Sequence, residues 1–119
     1  MAKWTVILWD WRPPTANELF RGKLRRRMSL EKDAKAFLSV YCRLFEVPPA
    51  TGKRRVTIRV EMPTRRCDPD AFFKATFDAL VACGALKGDS AVWLEIGTPE
   101  IVHGERLKTV ITLEDLPMK

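Results

Sequence analysis

Apolar and polar positions alternate most regularly between Arg54 and Met62. Val56, Ile58, Val60 and Met62 share one face, and Arg55, Thr57, Arg59 and Glu61 share the other. A period of two sends successive side chains to opposite sides, so this stretch predicts a half-exposed strand with a mainly basic outer face, ended by Pro63. Lys3–Trp9 (KWTVILW), rich in β-branched and aromatic residues, predicts an earlier strand. Asp10–Ala16 contains Pro13-Pro14 and predicts a loop, and Arg21–Arg27 (RGKLRRR) reads as a basic loop. Apolar Ala34, Phe37, Leu38, Tyr41, Leu44 and Phe45 then recur at helical spacing. Ser29 is the expected N-cap of that helix, Glu31 and Asp33 fall in its first turn, and Pro48-Pro49 and Gly52 close it. A second helix is expected from Asp68-Pro69 to about Cys83, with Gly84 as its stop. Ala91–Ile96 and Lys108–Leu113 predict two further strands, joined by a loop that holds the only histidine, His103. The expected fold is therefore α/β in the order β-α-β-α-β-β: one mixed β-sheet packed with two helices, within a single domain over residues 1–119.

Charge changes the picture. The net is +6, but residues 1–67 hold 16 basic and 6 acidic side chains, against 5 and 9 in residues 68–119. A basic half suits phosphate binding, and a locally acidic half suits cation binding, as a metal-using enzyme on a polyanion requires. Solvated surface charge is the plainer explanation of the same counts. Cys42, Cys67 and Cys83 are odd in number and form no Cys-x-x-Cys pair, which speaks against a zinc site or a disulfide framework and for a reducing, cytoplasmic setting. No apolar run approaches the roughly 20 residues that span a bilayer, so no membrane partner is expected.

The chemistry concentrates in the second helix and its flanks. Phe73, Phe77 and Leu80 form an apolar stripe expected to face the sheet. Asp70, Lys74 and Asp78 are spaced four apart, and each such step turns the helix by only about 40°, so they form one polar stripe. Asp68 lies just before the helix, and Asp89 lies in the turn before the next strand. Magnesium binds carboxylate and water oxygens, commonly through one or two carboxylates plus a phosphate. A nearby lysine can bind the scissile phosphate or offset developing charge. Each residue also has a structural explanation: Asp68 as N-cap, Pro69 at the first helical position, Asp70 on the helix dipole, Lys74 paired with Asp70, and Asp89 as a turn former.

Taken together, Pro63, Arg65-Arg66, Asp68-Pro69-Asp70, Lys74, Phe77-Asp78-Ala79-Leu80, Gly84 and Asp89 resemble the RusA family of Holliday-junction resolvases. That family's pattern here is an Arg-rich strand end, Asp-x-Asp-Asn, a Lys, Phe-Asp-Ala-Leu, a Gly and an Asp-Asp pair. Pro13-Pro14-Thr15-Ala16-Asn17 is similar to its Pro-Pro-Ser-x-Asn loop, and the likeness spans roughly residues 4–113. The resemblance implies that Asp68, Asp70 and Asp89 bind Mg²⁺ (or Mn²⁺), that Lys74 is the essential lysine, and that a homodimer cuts four-way DNA junctions. Two positions depart from the pattern: Ala71 replaces the Asn, and Gly88 replaces the first Asp of the pair. They leave open a catalytically weakened relative that binds branched DNA without cutting it. Arg21, Lys23, Arg25, Arg26, Arg27, Arg65 and Arg66 are the expected DNA contacts, with Trp11 as an additional candidate.

Overall fold

The computed structural model describes residues 2–21, 24–63 and 68–117 of the chain. Its backbone runs β1 (Lys3–Trp9), α1 (Ala16–Arg21), α2 (Leu24–Leu44), β2 (Arg54–Met62), a 3-10 turn (Pro69–Phe72), α3 (Phe73–Ala82), β3 (Leu94–Ile96), β4 (Glu100–His103) and β5 (Lys108–Asp115). The α/β class and the mixed sheet agree with expectation. The order β-α-β-α-β-β does not, because a third helix and a fifth strand are present.

β2 is the central strand. It pairs antiparallel with β5, and β5 pairs antiparallel with β1. On its other side β2 pairs in parallel with β3 through Arg54–Val56 and with β4 through Arg59–Met62. β3 and β4 thus form one interrupted edge strand. Gly97 sits in the interruption and donates its N–H to the Val56 carbonyl at 2.8 Å. A Cβ there would lie 2.1 Å from Thr57 Oγ1, so only glycine permits this approach. Because the edge strand is resumed after that break, His103 ends a strand and is exposed there, instead of lying in the expected loop.

The inward side chains of the sheet (Val6, Leu8, Val56, Ile58, Val60, Ile111 and Leu113) pack in one cluster with Leu38 and Cys42 of α2 and with Phe77 and Leu80 of α3. The helices therefore cover one face and leave the other open. The expected stripe on α3 is present, and Phe72 in the preceding 3-10 turn adds a fully buried ring. Gly84 stops α3 at φ +84°, a left-handed conformation favouring glycine.

α1 follows from a signal in its own sequence. Thr15-Ala16-Asn17-Glu18 forms a capping box: Thr15 Oγ1 accepts from the Glu18 N–H at 3.2 Å, and Glu18 Oε1 accepts from the Thr15 N–H at 3.0 Å. α2 begins at Leu24, so Ser29 lies inside the helix and is not its N-cap. Arg25, Arg26 and Arg27 are correspondingly helical, not looped. No described helix is long and apolar enough to cross a membrane.

Candidate functional site

The turn that carries Asp68 and Asp70 is set by Pro69, which suits the first position of a helical turn because it lacks an N–H. Asp68 is extended (φ −73°, ψ 147°), and its backbone carbonyl accepts the Ala71 N–H at 3.0 Å. Its carboxylate makes no capping hydrogen bond. Asp68, Asp70 and Asp89 are all exposed, and among the described residues none of the three takes part in an ion pair. These carboxylates are not consumed by local structure, contrary to the capping explanation available for Asp68.

Lys74 lies one helical turn beyond Asp70, but its Nζ donates to Asp78 Oδ2 at 2.8 Å, not to Asp70. That hydrogen bond, then the charge of Asp78, raises the lysine above its ordinary pKa against a small opposing effect of burial; the charges of Glu31 and Asp89 add to the rise. Lys74 is thus a stable ammonium that already senses Asp89. The chain returns beside α3: Asp89 and Gly88 line an open depression of about 330 Å³ with Lys35, Asp78, Val81 and Ala82. Asp89 therefore sits against the second half of α3, whereas Asp68 and Asp70 stand at its beginning. Among the described residues, no three His, Cys, Asp or Glu side chains gather closely enough to hold an ion. As a donor set, the exposed hard oxygens of Asp68 and Asp70 still suit magnesium, which needs only one or two carboxylates from the protein.

Gly88 has a local cause. A Cβ there would lie 2.9 Å from Cδ1 of Trp93, whose ring also lies under Lys87 Nζ at 4.9 Å. The ring occupies the space that an aspartate at this position would need. Trp11 is held against the core and stacks on Phe37 at 5.6 Å, which in turn stacks on Tyr41 at 6.1 Å. The expected DNA contact at Trp11 is thus a packing residue on one side.

Of the expected basic contacts, Arg26 is exposed on α2, and Arg27 reaches Glu31 at 3.2 Å. Arg21 closes α1, and Arg25 lies in the first turn of α2. Lys23, Arg65 and Arg66 lie outside the described residues, as does Cys67. The basic outer face of β2 is neutralised. Arg55 bonds Glu95 of β3 and reaches Glu114 of β5 at 3.4 Å, while Arg59 and Lys108 approach Glu61 at 3.4 and 3.7 Å.

Two features were not apparent from the sequence. Arg54 is only 1% exposed: it donates to Asp115 at 2.8 Å and to the Pro48 and Ala85 carbonyls at 2.9 Å, and it lies over the Trp4 ring. It ties three chain segments together, a role that no sequence spacing announces. Cys42 and Cys83 meet at the junction of α2 and α3. The Cys83 thiol donates to the Leu80 carbonyl at 3.4 Å; the interaction between the two thiols holds Cys83 below its ordinary range against burial and, together with burial, pushes Cys42 up. No family model matches the sequence, and no functionally curated protein matches it.

Proposed function

We propose that this chain is a metal-dependent endodeoxyribonuclease that cuts branched DNA as a homodimer. The observation that carries the reading is a set of exposed carboxylates without ion pairs among the described residues, Asp68 and Asp70 in the turn that opens α3 and Asp89 beside its second half, flanking the helix that carries the Lys74 ammonium. In this reading Asp68 and Asp70 hold Mg²⁺ or Mn²⁺, and Asp89 contributes from the side of Asp78. The ion supplies an activated water and charge for the phosphoryl transition state. Lys74, oriented by Asp78, places its ammonium toward the scissile phosphate and offsets its developing charge. Arg26 and its neighbours at the start of α2 bind the phosphates of the arms, with Arg65 and Arg66 preceding the acidic turn in sequence. The resemblance of this segment to RusA resolvases points to the same chemistry.

A second reading, binding of branched DNA without cleavage, is favoured by Gly88 and by the separation of Asp89 from Asp68 and Asp70. A labelled four-way junction incubated with Mg²⁺ or with EDTA separates the two. Metal-dependent incision, reduced roughly 100-fold or more by Asp70→Asn at unchanged junction affinity, is the expected result. Binding without incision would establish the second reading, and absence of binding at low salt would remove both.

A further inference from the structure

Large apolar side chains exposed to solvent are unevenly distributed. Among the described residues there are eight, and four of them (Phe37, Val40, Leu44 and Phe45) fall in or just after the second half of α2. Phe37, Val40 and Leu44 are spaced for one helical face, and Val40 and Leu44 are 51% and 68% exposed. Ala36, Phe37, Val40 and Tyr41 line an apolar depression of about 260 Å³ on that face. The core-facing side of α2 is a different one, carrying Ala34, Leu38 and Cys42. A helix that covered only its own sheet would be polar on this outer side.

Charge at the two ends of the patch indicates what covers it. Asp33 precedes the patch and Arg43 lies near its far end; both are exposed, and neither takes part in an ion pair among the described residues. Ten residues of helix, about 15 Å of rise, separate them. Against a second, antiparallel copy of α2 related by a two-fold axis near position 38, Asp33 faces Arg43 of the other copy, and the pair occurs twice. The same register sets Ala36, the smallest side chain of the patch, opposite Val40. A parallel arrangement would set Asp33 beside Asp33 and Arg43 beside Arg43, which like-charge repulsion disfavours.

We infer that the outer face of α2 is a self-complementary interface with a second copy of this chain, packed antiparallel around Phe37, Val40 and Leu44 and closed at each end by Asp33–Arg43. An isologous contact of this kind is what two-fold symmetry requires. The inference rests on the reading above for the two-copy stoichiometry and supplies its interface.

Sedimentation velocity over a concentration series tests it, with circular dichroism confirming the fold of each variant. Leu44→Arg, at an already exposed position, should convert the dimer to monomer. Asp33→Arg and Arg43→Asp should each weaken association by roughly tenfold, and the double reversal should restore it, because the exchanged charges again face each other. A wild-type monomer at high micromolar concentration overturns the interface. So does a dimer indifferent to Leu44→Arg, or a double reversal no better than the single ones. Junction cleavage is followed in parallel. Cleavage by a dimer indifferent to Leu44→Arg would remove this interface and keep the nuclease reading. An α2-dependent dimer that never cuts would keep the interface and remove the nuclease reading.

Discussion

The two faces of the sheet handle charge differently: the open face pairs its cations across strands, whereas the helical side pairs some within a helix, Arg27 with Glu31 and Lys74 with Asp78, and leaves others unpaired among the described residues. On the open face, cations meet anions or aromatic rings of a neighbouring strand: Arg55 with Glu95 and Glu114, Lys108 with Glu61, and Lys108 together with Arg106 of the bend before β5 over the Trp9 ring. Cross-strand pairs of this kind stabilise the sheet modestly and leave little net field. On the helical side, Arg26, Lys32 and Lys35 of α2 are exposed without ion pairs among the described residues, and Asp68, Asp70 and Asp89 stand equally unpaired around α3. A charge held by a neighbour in the sheet adds little to the attraction of a phosphate, whereas an unpaired one contributes fully. The count of basic residues is therefore a poor guide to where a polyanion would bind; their pairing is the better one.

The largest expected effect tests this contrast directly. Replacing Arg25 and Arg26 together with Gln should flatten the log–log salt dependence of junction binding by up to about 1.8, at roughly 0.9 for each phosphate contact on duplex arms. Replacing Arg55 and Arg59 with Gln should leave the slope within error. Equal slopes for the two variants, measured by fluorescence anisotropy across a salt series, would break the comparison and move DNA to the open face.

Stability should show the reverse order. Arg54→Ala leaves the Pro48 and Ala85 carbonyls without a donor and removes the partner of Asp115, which should cost about 3 kcal/mol in urea unfolding. Arg55→Ala, at an exposed and solvent-screened ion pair, should cost far less. A large loss from Arg55→Ala would mean that the open-face pairs stabilise the fold more than their exposure suggests.

A smaller effect sharpens the account of α1. Burial pushes Glu18 up, but its hydrogen bonds with Arg12 and Thr15 outweigh that and hold it below its ordinary 4.5. A carboxylate lowered on folding stabilises fully above its unfolded value, and the gain is lost as pH falls through the lowered one. Glu18→Gln should therefore cost about 0.5–1 kcal/mol at neutral pH, allowing for solvent screening, and the difference from wild type should shrink as the pH is taken below 4.5 and through the folded value. Thermal melts across that range would show a pH-independent difference if the charge of Glu18 were irrelevant.

Much of this molecule was legible locally. The alternation in β2, the stripe on α3 and the stop at Gly84 are each decided within a few residues, because side-chain direction repeats with the backbone period and a left-handed stop favours glycine. The capping box at Thr15–Glu18 was equally legible, although Pro13-Pro14 drew that stretch into the preceding loop. The start of α2 was obscured by its basic residues, which read as a loop although arginine and lysine are good helix formers. At the candidate site, the expected stripe of Asp70, Lys74 and Asp78 holds for Lys74 and Asp78, which lie four apart within α3, whereas Asp70 belongs to the 3-10 turn before it and is outside the α-helical spacing. The sequence did not decide which aspartate Lys74 would choose, nor that Asp89 would return beside Asp78, because both depend on how the chain folds before and after α3. The same holds for Arg54 and Gly97, whose environments are assembled from segments distant in the chain. Periodicity determined which residues turn inward; only tertiary packing decided which charges find partners, because an ion pair depends on distances between segments that no local repeat encodes.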